Sequence, residues 1–415
     1  MKNRLNIGLG ALALLCPVSL CADVVTDWSN TAEAALVAVN MKFPLQTRAL
    51  AMMHVAMFDA VNAVENRYRP YILNLVAPGA DESAAAATAA HGVLLALVSS
   101  QHVAIDAAYA ASLAGIPNGQ AKTDGITLGQ LAAVAILTQR ANDGSNITAV
   151  YVPGSGPGAW IPTPPTFGPA VWFGWGELPF AIHSGTQFLP DGPPALTSDQ
   201  YTADFNEVKS LGRFNSATRT ADQTNAALFW VEFPTYTWNA IAREAVAAKH
   251  VDLLDSARLF ALLNMASADA IMSGFQAKYI YGFWRPLTAI QNAATDGNPD
   301  TIADPTWEPL TALPEHPDYP SNHSAYSGAA AEVLALLLGD DFAFTVSSST
   351  GPTPRSFTSF TGAAEECAMS RIWLGFHFHT AIHDGLNMGK QIGHFAVNHN
   401  LRMLHGRAHS QLDLK

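Results

Sequence analysis

The chain has 415 residues, 49% of them apolar and 13% charged, with a formal net charge of −12. That length supports one large core or two modest domains, and the composition excludes a disordered chain. No run of Lys or Arg offsets the negative charge, which argues against nucleic acid or an anionic membrane as partner.

Residues 1–22 read as a secretory signal: Lys2 and Arg4, an apolar run through Leu15, then a small-residue exit near Ala22. The mature chain is expected to start near Asp23 and to be exported, to the periplasm or outside the cell. The apolar run is short and broken by Pro17, which argues against an uncleaved anchor. Leu20 is too large for the usual lipoprotein signal before Cys21. Cys16 and Cys21 fall in the signal, so Cys367 stands alone afterwards and no intrachain disulfide is expected. No later stretch approaches 18 consecutive apolar residues, so no transmembrane anchor is expected either.

Residues 23–150 read as an N-terminal helical region. Apolar residues recur at helical spacing from 27 to 64, with Thr47 as a candidate cap for a second helix that carries His54 and Asp59. His54 reads as a packed or hydrogen-bonded structural residue. Asp59 is a candidate partner for an Arg of the pocket. Further helices are expected over 82–98, 103–114 and 125–141, the last stopped by turn residues at 142–145. Their small residues imply close helix packing.

Over 151–196 the composition changes to Pro, Gly and Trp, with Trp160, Trp172 and Trp175 among the prolines. A loop this long is usually functional, and it either covers a pocket mouth or wraps the helices. Helical patterns resume over 197–211, 221–231, 238–254, 256–281, 332–338 and 363–375. There is little strand signal and no solenoid repeat. The expected fold is all-α, a helical bundle whose core occupies 197–415 around a pocket fed by several helices.

Three short motifs lie in that core: K-Y-I-Y-G-F-W-R-P from Lys278 to Pro286, Y-P-S-N-H-S from Tyr319 to Ser324, and S-R-I-W-L-G-F-H-F-H from Ser370 to His379. Lys278 and Arg285 lie seven apart, close to two helical turns, so both cations can project from one helix face. Pro286 marks the place where that helix ends or kinks. Arg371 and His377 add a second cation and an imidazole, while Ser321 and His323 come from a turn signalled by Pro317 and Pro320. Two Arg, one Lys, a hydroxyl, turn amides and two His are the inventory of an oxyanion pocket.

In order and spacing these motifs resemble the signature of the vanadium-dependent haloperoxidase and type 2 phosphatidic acid phosphatase superfamily, K-x6-R-P, P-S-G-H and S-R-x5-H. Residues 47–64 resemble an early helix of its soluble bacterial haloperoxidase-like members. The absence of an apolar span sets aside the integral-membrane lipid phosphatase form. The resemblance implies a vanadate cofactor bound covalently to His377 alone. Its oxygens would be held by Lys278, Arg285, Ser321, the Asn322 backbone N–H and Arg371, with His323 as acid and base on the far side. The implied partners are hydrogen peroxide, a halide and a small organic acceptor, and Lys278 would polarise the reacting oxygen.

The same constellation serves a soluble exported acid phosphatase, with phosphate in place of vanadate, His377 as nucleophile and His323 protonating the leaving alcohol of a phosphate ester. A non-catalytic oxyanion-binding protein is the third reading. Asn322 stands where the family usually has Gly. Ala381 stands where it commonly has an Asp that orients the imidazole, and Asp384 is about two turns along, too far to replace it. On that ground iodide or bromide is the expected halide. His316 is a candidate second acid or base that tunes halide handling. Glu315 and Asp318 read as loop solvation, and His379 and His383 as surface or supporting residues. His394, His399, His405 and His409 read as a solvated tail, and the Ala-rich faces suit a homodimer.

Overall fold

The computed structural model describes residues 23–147, 149–176 and 178–404. The expected secretory signal at 1–22, with Cys16 and Cys21, and the tail residues His405 and His409 lie outside the described residues.

The architecture is predominantly helical. Along the N-terminal half run α1 (Val24–Ala38), α2 (Phe43–Glu65), α3 (Glu82–Leu97), α4 (His102–Ala114) and α5 (Gln120–Gln139). After the Pro/Trp-rich segment come α6 (Asp199–Leu211), α7 (Ala221–Phe229), α8 (Pro234–Ala248), α9 (Leu253–Tyr281), α10 (Pro286–Gln291), α11 (Asn322–Leu338), α12 (Phe360–Trp373) and α13 (His379–His399). Side-chain caps fix many of the starts: Asp23, Asp81, Ser198, Asp252, Ser321 and Ser359 each accept a backbone N–H of the first turn, and Thr220 with Gln223 closes a capping box. Each such cap contributes about 1 kcal/mol. Thr47 is not a cap. Helix α2 begins four residues earlier, and the Thr47 hydroxyl donates back to Pro44 O at 2.7 Å.

Helix α9, 29 residues long and buried over most of its length, is the axis of the core. It packs against α2, α11 and α13, and one continuous apolar cluster joins these helices to the N-terminal half. The tightest seam pairs α11 with α13. Cβ atoms built on Gly385, Gly389 and Gly393 would lie 2.6, 2.0 and 2.7 Å from the carbonyl oxygens of Ser321, Ala325 and Ala329. Only glycine on one helix lets backbones meet this closely, and the i, i+4, i+8 spacing on both sides repeats the contact every turn.

A two-stranded antiparallel hairpin, β1 (Asp341–Val346) with β2 (Arg355–Ser359), is the one departure from the all-helical expectation among the named elements. Among the described residues no single helix is long and apolar enough to cross a membrane.

The Pro/Trp-rich segment wraps the core and reaches the neighbourhood of the second motif. Asp269 on α9 accepts the amides of Phe180, Ala181 and Ile182 at 2.7, 2.7 and 3.0 Å. Burial still outweighs those three bonds and pushes the Asp269 carboxyl up to about 6. Asp59 on α2 does the same for Tyr71, Ile72 and Leu73. It therefore braces a loop and pairs with no pocket Arg. Val171 N donates to Glu315 O at 2.9 Å, and Thr166 donates to the Glu315 carboxylate, so Glu315 ties the wrap to the loop before the second motif. His54 is buried against Phe260, 5.0 Å between ring centroids, and desolvation holds it neutral with its pKa pushed down to about 3. It is a packed core residue.

Candidate active site

The three motifs converge on one buried site, though by a different route from a single helix face. Helix α9 ends at Tyr281 because Gly282 takes the left-handed conformation, φ +56°, and returns its N–H to Lys278 O. Lys278 therefore sits in the last turn of α9, and Arg285 is the residue before α10, with Pro286 as its first residue. Both cations then reach the same loop. Lys278 Nζ donates to the carbonyls of Pro317, Asp318 and Pro320 at 3.0, 2.7 and 2.5 Å. Arg285 Nε donates to His316 O at 2.8 Å, and Nη1 to Phe376 O at 2.9 Å. An ammonium has three donors, so Lys278 is fully spent on backbone. It holds the second motif inward, and one of these bonds must open before Lys278 can hold an oxyanion.

His377, four percent exposed, lies between two groups of opposite character. Its Nε2 is 3.2 Å from Arg285 Nη1, and its Nδ1 is 3.0 Å from Asp318 Oδ1. Guanidinium can only donate, so Nε2 carries the lone pair and the proton sits on Nδ1, facing the carboxylate. The Nδ1 contact is close but off-line for a hydrogen bond, so the carboxylate acts on the neutral ring through the dipole of its Nδ1–H. Asp318 was expected to be a solvated loop residue. It is instead fully buried. Burial pushes its carboxyl up to about 7, against the opposing pull of Arg285 and Lys278. It fills the role left open by Ala381. Asp384 does not, since it accepts the Tyr319 hydroxyl at 2.5 Å instead.

Ser321 opens α11. Its Oγ accepts from Ser324 N and Ser324 Oγ at 3.3 and 2.9 Å, which leaves its own hydroxyl hydrogen uncommitted. The Asn322 and His323 amides begin the helix, where N–H groups lack intrahelical acceptors and the dipole favours an anion. Asn322 has helical backbone, so the residue that replaces Gly needs no left-handed tolerance here. Its carboxamide is buried with no partner among the described residues and packs over Gly274. Among the described residues neither the Nε2 of His323 nor the Nε of Arg371 has a partner, while Arg371 Nη1 donates to Trp230 O at 2.6 Å.

The electrostatics tie these groups together. Desolvation, then Arg371, hold His323 well below the ordinary imidazole range, and desolvation with Arg285, Lys278 and Arg371 does the same to His377. Both rings are neutral. Burial, and Arg285 beside it, also hold the Lys278 ammonium well below its usual value, and burial pushes Arg285 and Arg371 down to about 10. Three buried cations thus accompany one buried carboxylate, with the Ser321 hydroxyl hydrogen, two helix amides and His323 Nε2 uncommitted, and the His377 Nε2 lone pair meeting only Arg285. Buried charge in excess of its partners is costly, and a small polyanion is what balances it. The donor set fits a tetrahedral oxyanion such as vanadate.

His316 belongs to the site as well. Its Nδ1 is 3.0 Å from Arg285 Nη2, and its ring meets Phe275 edge-on at 5.3 Å. By contrast His379 pairs with Glu207 at 2.9 Å, His383 with Asp384 and His394 with Glu332, all on the outside, while His399 stacks on Phe395. Asp204, which the motifs did not flag, accepts Thr380 N at 2.9 Å and so secures the start of α13 just after His377.

Residues 258–406 match the model of a family described as the VCPO second helical-bundle domain. The whole fold is similar to the crystal structure of a bacterial vanadium-dependent iodoperoxidase, with TM-score 0.81, 25% identity, and 94% of this chain and 99% of that chain covered. The chain belongs to the vanadium-dependent haloperoxidase and type 2 phosphatidic acid phosphatase superfamily. A vanadium chloroperoxidase from Curvularia inaequalis is 29% identical over 198 residues. That match covers 40% of this chain and spans about a third, 32%, of the relative's length. A holo-type bacterial vanadium-dependent chloroperoxidase shares the fold at TM-score 0.69 and 17% identity, over 86% of this chain and 92% of that one. In this superfamily member Asp318 was the residue hardest to read from sequence, because nothing in its own neighbourhood marks it as buried.

Proposed function

We propose that the protein is an exported vanadium-dependent haloperoxidase that oxidises iodide or bromide with hydrogen peroxide. The observation that carries this reading is the neutral His377, its Nε2 lone pair turned into a ring of three buried cations while Asp318 backs its Nδ1. Bound vanadate would supply the Lewis acidity that activates peroxide toward halide. The chain's own residues would do the rest. His377 Nε2 would hold the group, Arg285 and Arg371 would balance its charge, and Ser321 O–H with the first amides of α11 would fix its oxygens. His323 is neutral and unpartnered at Nε2, so it can take a proton from peroxide and return it to the leaving oxygen.

The halide preference now rests on other ground. Asp318 supplies the support that Ala381 does not, so weak orientation of His377 no longer argues for an easily oxidised halide. Lys278 does, because its three donors are spent on carbonyls and less of its charge is free to polarise oxygen. The similarity over nearly the whole chain to an iodoperoxidase agrees.

Purified protein, stripped of oxyanion and split between buffers with and without orthovanadate, tests this reading. Each half receives peroxide with iodide or bromide, and separately a chromogenic phosphate ester. Halide oxidation that requires vanadate and is lost in His377→Ala is the expected result. Ester hydrolysis by the stripped protein, inhibited by vanadate, would make it a phosphatase instead.

A further inference from the structure

A cavity of about 300 Å³ lies between the Pro/Trp-rich segment and α9, walled by Trp172, Phe173, Trp175, Phe275, Gln276 and Tyr279, with Ile280 at its rim. We infer that it binds a neutral, planar aromatic molecule of one or two rings, the organic acceptor of the halogen. This rests on the haloperoxidase reading for the reaction but not for the binding.

The walls argue for a flat guest. Trp172 and Trp175 pack edge-to-face at 71° with centroids 5.8 Å apart, and Trp175 and Phe275 at 88° and 6.3 Å, so a ring seated against this cluster meets one wall face-on and another edge-on. No lining residue carries a charge, which selects against ions. The volume is at the small end of ligand sites and matches one or two rings. Trp175 is 2% exposed and its indole N–H has no acceptor among the described residues, a buried donor of the kind that fixes a ligand hydroxyl.

The cavity is also built at a cost. Trp172 has φ +65°, a left-handed conformation that a bulky residue rarely adopts. The surrounding contacts hold it there: Tyr279 donates its hydroxyl to the carbonyl of Val171, and Tyr151, Phe173 and Tyr279 pack as a triangle with centroids 5.0 to 5.2 Å apart.

Its position relates it to the oxyanion site. The inner wall, Phe275, touches His316 at 5.3 Å, His316 Nδ1 lies 3.0 Å from Arg285, and Arg285 lies 3.2 Å from His377 Nε2. Phe275, His316 and Arg285 are thus the side chains that connect a ring held here to His377, beside which hypohalous acid would form. The transfer is electrophilic substitution: the halogen bonds to a ring carbon, that carbon loses its proton, and the hydroxyl of the hypohalous acid leaves with a proton as water.

Titration calorimetry of the full chain without vanadate or halide, using 2-naphthol and its saturated analogue 2-decalol, tests the binding. The expected result is saturable naphthol binding, at least tenfold weaker for decalol. Trp172→Ala should weaken naphthol at least tenfold, and Ile280→Ala, a rim change that leaves the loop backbone alone, a few-fold. Equal affinities for the two alcohols, no saturable heat, or a naphthol affinity that Ile280→Ala leaves unchanged would overturn the site. In turnover, Ile280→Ala should raise KM for naphthol and leave triiodide formation, which needs no organic acceptor, unchanged. Naphthol binding with no halide oxidation would keep the site and sink the haloperoxidase reading; halide oxidation with no naphthol binding would do the reverse.

Discussion

Asp318 governs how His377 can act. Arg285 requires the lone pair at Nε2, and a carboxylate 3.0 Å from Nδ1 favours the proton there, so the two neighbours select the same tautomer from opposite sides of the ring. Removing the charge while keeping the shape, as in Asp318→Asn, leaves the tautomer set by Arg285 alone and strips His377 of basicity. Loss of such a supporting carboxylate typically costs 10- to 100-fold, roughly, in affinity for the ligated group. We therefore expect Asp318→Asn to weaken vanadate binding by about that factor in calorimetry, with the fold intact by circular dichroism. Unchanged affinity would mean that packing alone holds the ring. The cations, Ser321 and both histidines were legible because spacing within each motif survives folding. Asp318 was not, because its burial is imposed from outside its own segment: Lys278 and Arg285 draw four carbonyls of the 316–320 loop inward, and a side chain that reads as solvated goes with them.

Elements carry that precision to the site. Helix α11 begins at Ser321 and α13 two residues after His377, so the spacing between the second and third motifs is the spacing between these helices. The glycine seam sets it. A Cβ on Gly389 would lie 2.0 Å from Ala325 O, a backbone atom that cannot rotate away, so Gly389→Ala must push the helices apart. Overpacking of this kind costs about 1–3 kcal/mol. Urea denaturation should show that loss, and vanadate affinity should fall with it because Ser321 and His377 separate. A variant as stable as the parent, with native affinity, would show that the seam is looser than drawn. The sequence announced close packing through its small residues without saying which helices meet, because periodicity reports a face and not its partner. It also put the helix break near residue 255, whereas α8 ends at Ala248 and α9 starts at Leu253, capped by Asp252. The hairpin of β1 and β2 escaped because two short strands of mixed burial carry little alternation.

At the scale of the whole molecule, the site is a charge imbalance that the rest of the fold sustains. The chain is acidic overall, yet Lys278, Arg285 and Arg371 are buried together against Asp318, each at a desolvation cost of several kcal/mol, partly offset by backbone carbonyls. The large core around α9 makes that tolerable, which is why a polar site can sit among helices whose sequence reads as apolar throughout. An anion that enters binds the folded state only, since the unfolded chain scatters the three cations far apart. Linkage then requires stability to rise with ligand, by about 2.7 kcal/mol at one hundred times Kd. Thermal unfolding should therefore shift upward with orthovanadate, and more weakly with phosphate, which has the same shape and cannot be held as firmly by an imidazole nitrogen. In His377→Ala the vanadate advantage over phosphate should disappear while a shift common to both persists, because the cations remain. Chloride at equal ionic strength should give neither, which separates binding from screening. A melting temperature indifferent to both oxyanions would remove the anion pocket, and with it every reading of this site that depends on one.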